Sequence, residues 1–177
     1  MMRTVVPMSD PIWDTASKVL LTDYPKMCIC WIERINNPEV REAYADRREA
    51  MREQIGTENV HERVLFHGTK ANHIDDIVRD GFKVALNRVS AYGIGTYFAT
   101  SAAMSASYTD VAYSSEMSFM FVCNVLVGRC AAGHHKATLD TRLYDNTTND
   151  RLNPTIFTTP TDDRAFPEYL VAFYKRA

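Results

Sequence analysis

Apolar residues recur at helical spacing at Ile12, Trp13, Ala16, Val19 and Leu20, which predicts an amphipathic helix. Asp10-Pro11 opens it, because an aspartate caps free amide groups and proline suits the first helical position. Tyr24-Pro25 closes it. Residues 26–35 are apolar at both parities, the pattern of a central strand covered on both faces. After the turn Asn36-Asn37-Pro38, a second helix from Glu39 carries Val40, Ala43, Tyr44, Ala50, Met51 and Ile55 on one side. Residues 64–68 read as a short strand. Asn72 is placed to cap a helix that buries Ile74, Ile77 and Val78, with Gly81 as its stop. Residues 101–109 then read as a small helix and 117–127 as a long strand. A polar stretch over 128–153 follows.

Residues 65–108 depart from this alternation. Four of the chain's seven glycines fall there: Gly68, Gly81, Gly93 and Gly95. His67, Tyr92, Tyr97 and Tyr108 are interleaved with them, and residues 89–109 carry no charge. Glycine serves where backbone must lie close against something else. Flat rings beside bare backbone suit a planar ligand held by stacking and hydrogen bonds. Singly, each feature has a blander reading: His67 as a buried core histidine, and the aromatics of 92–98 as half of a strand. Gly93-Ile94-Gly95 is not a dinucleotide fingerprint, since Phe98 stands where the third glycine belongs.

Jointly, the features resemble the ADP-ribosyltransferase catalytic domain of the poly(ADP-ribose) polymerase type, related to diphtheria toxin. His67-Gly68-Thr69 resembles the family's histidine–glycine strand. Gly95-Thr96-Tyr97-Phe98-Ala99 resembles its second motif, and Ser105 and Tyr108 match the spacing of a serine and a second tyrosine. The segments 31–44 and 143–170 are similar to the mono-transferring branch. The resemblance implies an α+β fold of two antiparallel β-sheets flanked by helices, with an NAD cleft between them, and one catalytic domain over residues 1–177.

It also implies roles. The Gly68 backbone and the Ser105 hydroxyl grip the nicotinamide carboxamide, Tyr97 and Tyr108 sandwich the ring, and His67 holds a ribose hydroxyl. Thr69, Tyr92, Phe98 and Ala99 complete the donor site, and the loop over residues 83–92 lies across the dinucleotide. Counting in register puts Ile156, not Glu168, at the position where polymer-forming members carry a catalytic glutamate. An isoleucine neither accepts a hydrogen bond nor takes a proton, so one ADP-ribose per site is expected, passed to a protein or other macromolecular acceptor. A silent NAD-, ADP-ribose- or protein-binding module and an NAD glycohydrolase remain as alternatives. One departure stands out: the family continues with apolar residues after Phe157, whereas this chain reads Thr158-Thr159-Pro160-Thr161. Proline cannot donate to a ladder, so this strand is expected to end early or lie at an edge.

Composition narrows the picture little. A net charge of -2 does not indicate a nucleic-acid surface. Arg47, Arg48 and Arg52 lie among Glu42, Asp46, Glu49 and Glu53, which reads as a solvated mixed-charge face. Cys28, Cys30, Cys123 and Cys130 lack zinc spacing and read as reduced thiols. His134-His135 has no spaced acid or cysteine to complete a metal site, so no metal is expected. No segment reads as a membrane span or a leader. An intracellular monomer, cytoplasmic or nuclear, with NAD as its substrate is expected.

Overall fold

The computed structural model describes residues 1–87, 90–109 and 117–176. Its elements run β1 (Arg3–Val5), α1 (Pro11–Asp23), β2 (Met27–Ile35), α2 (Pro38–Ile55), β3 (Glu62–Thr69), α3 (Ile74–Asp80), β4 (Thr96–Ala99), α4 (Ala102–Ala106), β5 (Ser118–Leu126), β6 (Cys130–Ala132), β7 (Asn146–Thr148), β8 (Ile156–Thr159) and β9 (Ala165–Lys175). Local chemistry sets several boundaries. The Asp10 carboxylate accepts from the Ile12 N–H at 2.9 Å to start α1, and the Asn37 side chain accepts from the Val40 N–H at 3.2 Å to start α2. Gly81 ends α3 at φ +73°. The expected Asn72 cap is not used: residues 71–73 form a single 3₁₀ turn and α3 begins after His73 with no side-chain cap.

The α+β class holds, but the strands are not divided into two sheets. All nine join in one sheet, ordered β1-β2-β9-β5-β3-β4-β8-β7-β6. Every pairing is antiparallel except β6 with β7. A single residue pair, Phe66 with Ala99, connects the β1-to-β3 half to the β4-to-β6 half. β2 is second from the edge, beside the short β1, and not central; the N-terminal pattern is too brief to reveal β1. β8 ends at Thr159, one residue before Pro160, as a missing donor requires.

Side-chain alternation along the strands builds a core on each face. On one, Leu65, Phe98, Phe121 and Phe157 pack with Phe82 and with Ile74 and Val78 of α3. On the other, Phe66, Met120, Val171 and Phe173 meet Leu20 of α1 and Ala102 and Ala106 of α4. The arginines of α2 are not merely solvated: Arg47 pairs with Asp163 at 2.6 Å, Arg48 with Glu62 at 3.5 Å and Arg41 with Glu168 at 3.3 Å, tying the helix to three other segments.

The polar stretch over 128–153 is anchored by a buried carboxylate. Asp145 is 2% exposed. It accepts from the Arg129 backbone N–H and Nε, each at 2.9 Å, while Arg164, also buried, donates to its carbonyl at 2.7 Å. Removing one partner of such a group leaves uncompensated buried charge, which is strongly destabilising. Asp145→Ala should therefore lower stability by about 3–5 kcal/mol, read as a lower urea midpoint at unchanged slope.

Candidate active site

The site lies where the β3–β4 ladder stops. After Phe66–Ala99 there is no further register pair between the strands, and the next contact is a side chain. His67 Nδ1 lies 2.8 Å from the Tyr97 carbonyl oxygen. A carbonyl only accepts, so Nδ1 carries the proton and Nε2 of the neutral ring keeps a free lone pair. Burial lowers the His67 pKa below its ordinary 6.5; the bond to Tyr97 opposes this, and nearby His73 adds to the lowering. The Phe82 ring meets the imidazole edge-on at 4.9 Å between centroids, and Phe98 stands behind at 5.5 Å. Three contacts thus fix the ring's position and tautomer.

Gly68 follows on β3, where a Cβ would run into the Ser105 carbonyl oxygen. Only glycine lets α4 lie this close to the strand. Ser105 is 2% exposed, and its hydroxyl donates to the Phe66 carbonyl at 3.0 Å. In this arrangement the hydroxyl offers an incoming group its lone pairs. Tyr108, one turn beyond, is 54% exposed. Its N–H donates to the Ser105 carbonyl at 3.1 Å, which fixes the turn and leaves the ring open.

Tyr97 is half-buried and pinned at its far end: its hydroxyl donates to the Gly93 carbonyl at 2.6 Å and accepts from the Tyr92 N–H at 2.9 Å. Tyr92 therefore acts through its backbone. At Gly95 a Cβ would strike the Thr159 carbonyl, so glycine allows this turn to lie on β8. Thr69 and Ala99 are buried strand residues, and Phe98, 1% exposed, backs His67 from within the core. The loop foreseen over residues 83–92 falls partly outside the described residues; its residues 84–86 form a 3₁₀ turn.

Ile156 opens β8 opposite Ala99. By register it shares a sheet face with Tyr97 and Ala99, while His67 reaches this region through the Tyr97 carbonyl. Its backbone is held from both sides: Asn149 Oδ1 accepts from its N–H at 2.9 Å, and the Thr148 hydroxyl donates to its carbonyl at 2.7 Å. Glu168 lies on β9 and pairs with Arg41 of α2, while also accepting from Asn124 at 3.2 Å. The threonines after Phe157 carry a cost, since among the described residues the buried hydroxyls of Thr96 and Thr158 have no partner. Phe82, Thr148 and Asn149 were missed in the sequence. Only the Gly81-Phe82 step after a helix stop hinted at the first.

Elsewhere, the four cysteines are free, and His134 and His135 are exposed. Among the described residues no helix is long and apolar enough to cross a membrane, and no His/Cys/Asp/Glu group is arranged to hold a metal ion.

The family model for the poly(ADP-ribose) polymerase catalytic domain matches residues 15–149. The chain is 34% identical over 171 residues to protein mono-ADP-ribosyltransferase PARP12 of Mus musculus, covering 92% of this chain and 23% of that protein. It is 33% identical over 181 residues to protein mono-ADP-ribosyltransferase PARP14 of Homo sapiens, covering 94% of this chain and 10% of that one. The Mus musculus PARP11 enzyme of the same description is 27% identical over 170 residues, covering 81% of this chain and 51% of its own length. The chain thus spans a quarter or less of the first two relatives.

The His67 environment predicts a pH dependence. The folded pKa lies below the unfolded one, so the unfolded chain binds this proton more tightly. The stabilising contribution is complete above about pH 6.5 and is lost as pH falls through the lower folded value. Urea midpoints should drop as pH falls below about 6.5, and those of His67→Asn should drop less.

Proposed function

The chain belongs to the poly(ADP-ribose) polymerase catalytic-domain family, and from that premise we propose that it is an NAD-dependent mono-ADP-ribosyltransferase with residues 1–177 as one catalytic domain. It cleaves the bond between nicotinamide and ribose and transfers one ADP-ribose to a protein or other macromolecular acceptor. NAD is the substrate and no metal takes part.

The observation that supports this reading is the arrangement at the end of the β3–β4 ladder, where His67-Gly68, the Tyr97 carbonyl and the Ser105–Tyr108 turn come together. Glycosyl transfer with a good leaving group needs positioning above all. The Gly68 backbone and the Ser105 hydroxyl receive the carboxamide; in the described state Ser105 meets an amide N–H as acceptor, and rotating its proton away from Phe66 lets it donate instead. Tyr97 and Tyr108 take the two faces of the ring. His67 Nε2 accepts from a ribose hydroxyl, a task that requires the neutral form favoured by burial.

Ile156 sets the length of the product. A carboxylate here would bond a ribose hydroxyl and polarise an incoming one; a branched hydrocarbon only packs. With its backbone fixed by Thr148 and Asn149, Ile156 serves as a wall, and transfer stops at one unit.

Incubation with labelled NAD followed by a denaturing gel tests this. A discrete labelled protein band is expected; a ladder or high-mass smear refutes the single transfer. Free ADP-ribose without labelled protein would identify a glycohydrolase, and no NAD binding by calorimetry would identify a silent module. Tyr108→Ala should weaken NAD binding by about 1–3 kcal/mol, by analogy with base stacking on an aromatic ring.

A further inference from the structure

The helix that carries Ser105 has only five residues, too short to hold itself together in water. Its ends are held from distant parts of the chain. At the N-terminal end, Asp23, the last residue of α1, accepts from the Ala103 N–H at 3.1 Å and from the Ser101 hydroxyl at 3.0 Å. The Ser101 hydroxyl in turn accepts from the Met104 N–H at 3.2 Å. Two amide groups that a helix start leaves unbonded are thereby satisfied, one of them by a full negative charge. At the C-terminal end, Lys175, the last residue of β9, donates to the Ala106 carbonyl at 2.8 Å, and the Thr109 hydroxyl donates to the same oxygen at 2.9 Å. A cation at the carbonyl end completes the electrostatic match.

Along its side the helix lies against β3. The Ser105 carbonyl lies against the bare Cα of Gly68, and the Ser105 hydroxyl bonds the Phe66 carbonyl. Sliding α4 along its axis would move Ser105 and Tyr108 relative to β3 and break these contacts.

We infer that Asp23 and Lys175 are positioning residues that bracket α4 by charge and so set where Ser105 and Tyr108 stand against Gly68. This rests on the reading of Gly68, Ser105 and Tyr108 as the nicotinamide-binding wall. Both act through the ends of the helix, at Ser101, Ala103 and Ala106. The two act from opposite ends of the helix, so losing either frees one end of the same short segment.

Two readouts separate the inference from that reading. Amide hydrogen exchange over residues 101–109 needs no ligand. Asp23→Ala and Lys175→Met should each speed exchange there while leaving β5 and β9 protected as before. NAD titration by calorimetry should show affinity about three- to tenfold weaker in each variant. Lys175→Arg, which keeps a donating cation, should restore both. Unchanged exchange in the two variants overturns the bracketing. Faster exchange with unchanged NAD affinity overturns the positioning role. Unmodified protein that binds no NAD removes the nicotinamide-site reading, and the positioning of that site with it, while the exchange data still decide whether the two charges hold α4. Asp23 is exposed, so its variant is expected to fold even if the Lys175 variant does not.

Discussion

The candidate site depends on one interruption: β3 and β4 pair at Phe66–Ala99 and nowhere else among the described residues. In an unbroken ladder, the backbone groups of adjacent strands satisfy one another and leave no opening. Here the strands lose their register where His67-Gly68 faces Tyr97, and an imidazole–carbonyl bond takes the place of the next ladder pair. What flanks this break holds it in place. Phe82 and Phe98 hold the imidazole, α4 abuts Gly68, and the Tyr97 hydroxyl is tied into the 92–93 turn.

This arrangement needs support from both halves of the sheet. On one side, β5 and β9 extend the ladder beyond β3 with eight residue pairs between β3 and β5 alone, which makes β3 the firm wall. On the other, β4 rests on the four-residue β8, whose first residue is held by side chains from β7 and the residue after it. The stretch over 128–146 is anchored by Asp145 with Arg129 and Arg164. A buried charge cluster thus bears on β4 through β7 and β8.

Ile156 shows how little the fold demands at the position proposed to set product length. Backbone bonds from Thr148 and Asn149 fix it whatever its side chain. A carboxylate and a hydrocarbon would stand on the same scaffold, and the difference between them is chemical: one accepts hydrogen bonds and protons, the other does neither. The threonines that follow, two of them opposite β4 and one with an unpartnered buried hydroxyl, belong to this chain's own variation of the strand.

The sequence by itself determined what short-range chemistry controls. Asp10 and Asn37 set the starts of two helices, Pro160 the end of β8, and Gly81 the end of α3. Each follows from groups a few residues apart, whose geometry barely depends on the rest of the chain. Only the tertiary structure decided the rest. It joined the strands into one sheet through a single pair, placed Phe82 against His67, and left Asn72 unused as a cap. It also brought Asp23 and Lys175 to opposite ends of α4 and surrounded Asp145 with two arginines. These contacts join residues far apart in the chain, and they form only once strand order and register bring their neighbours together. Periodicity does not encode that order: strands with the same alternation fit several sheets equally well until the long-range pairs are made.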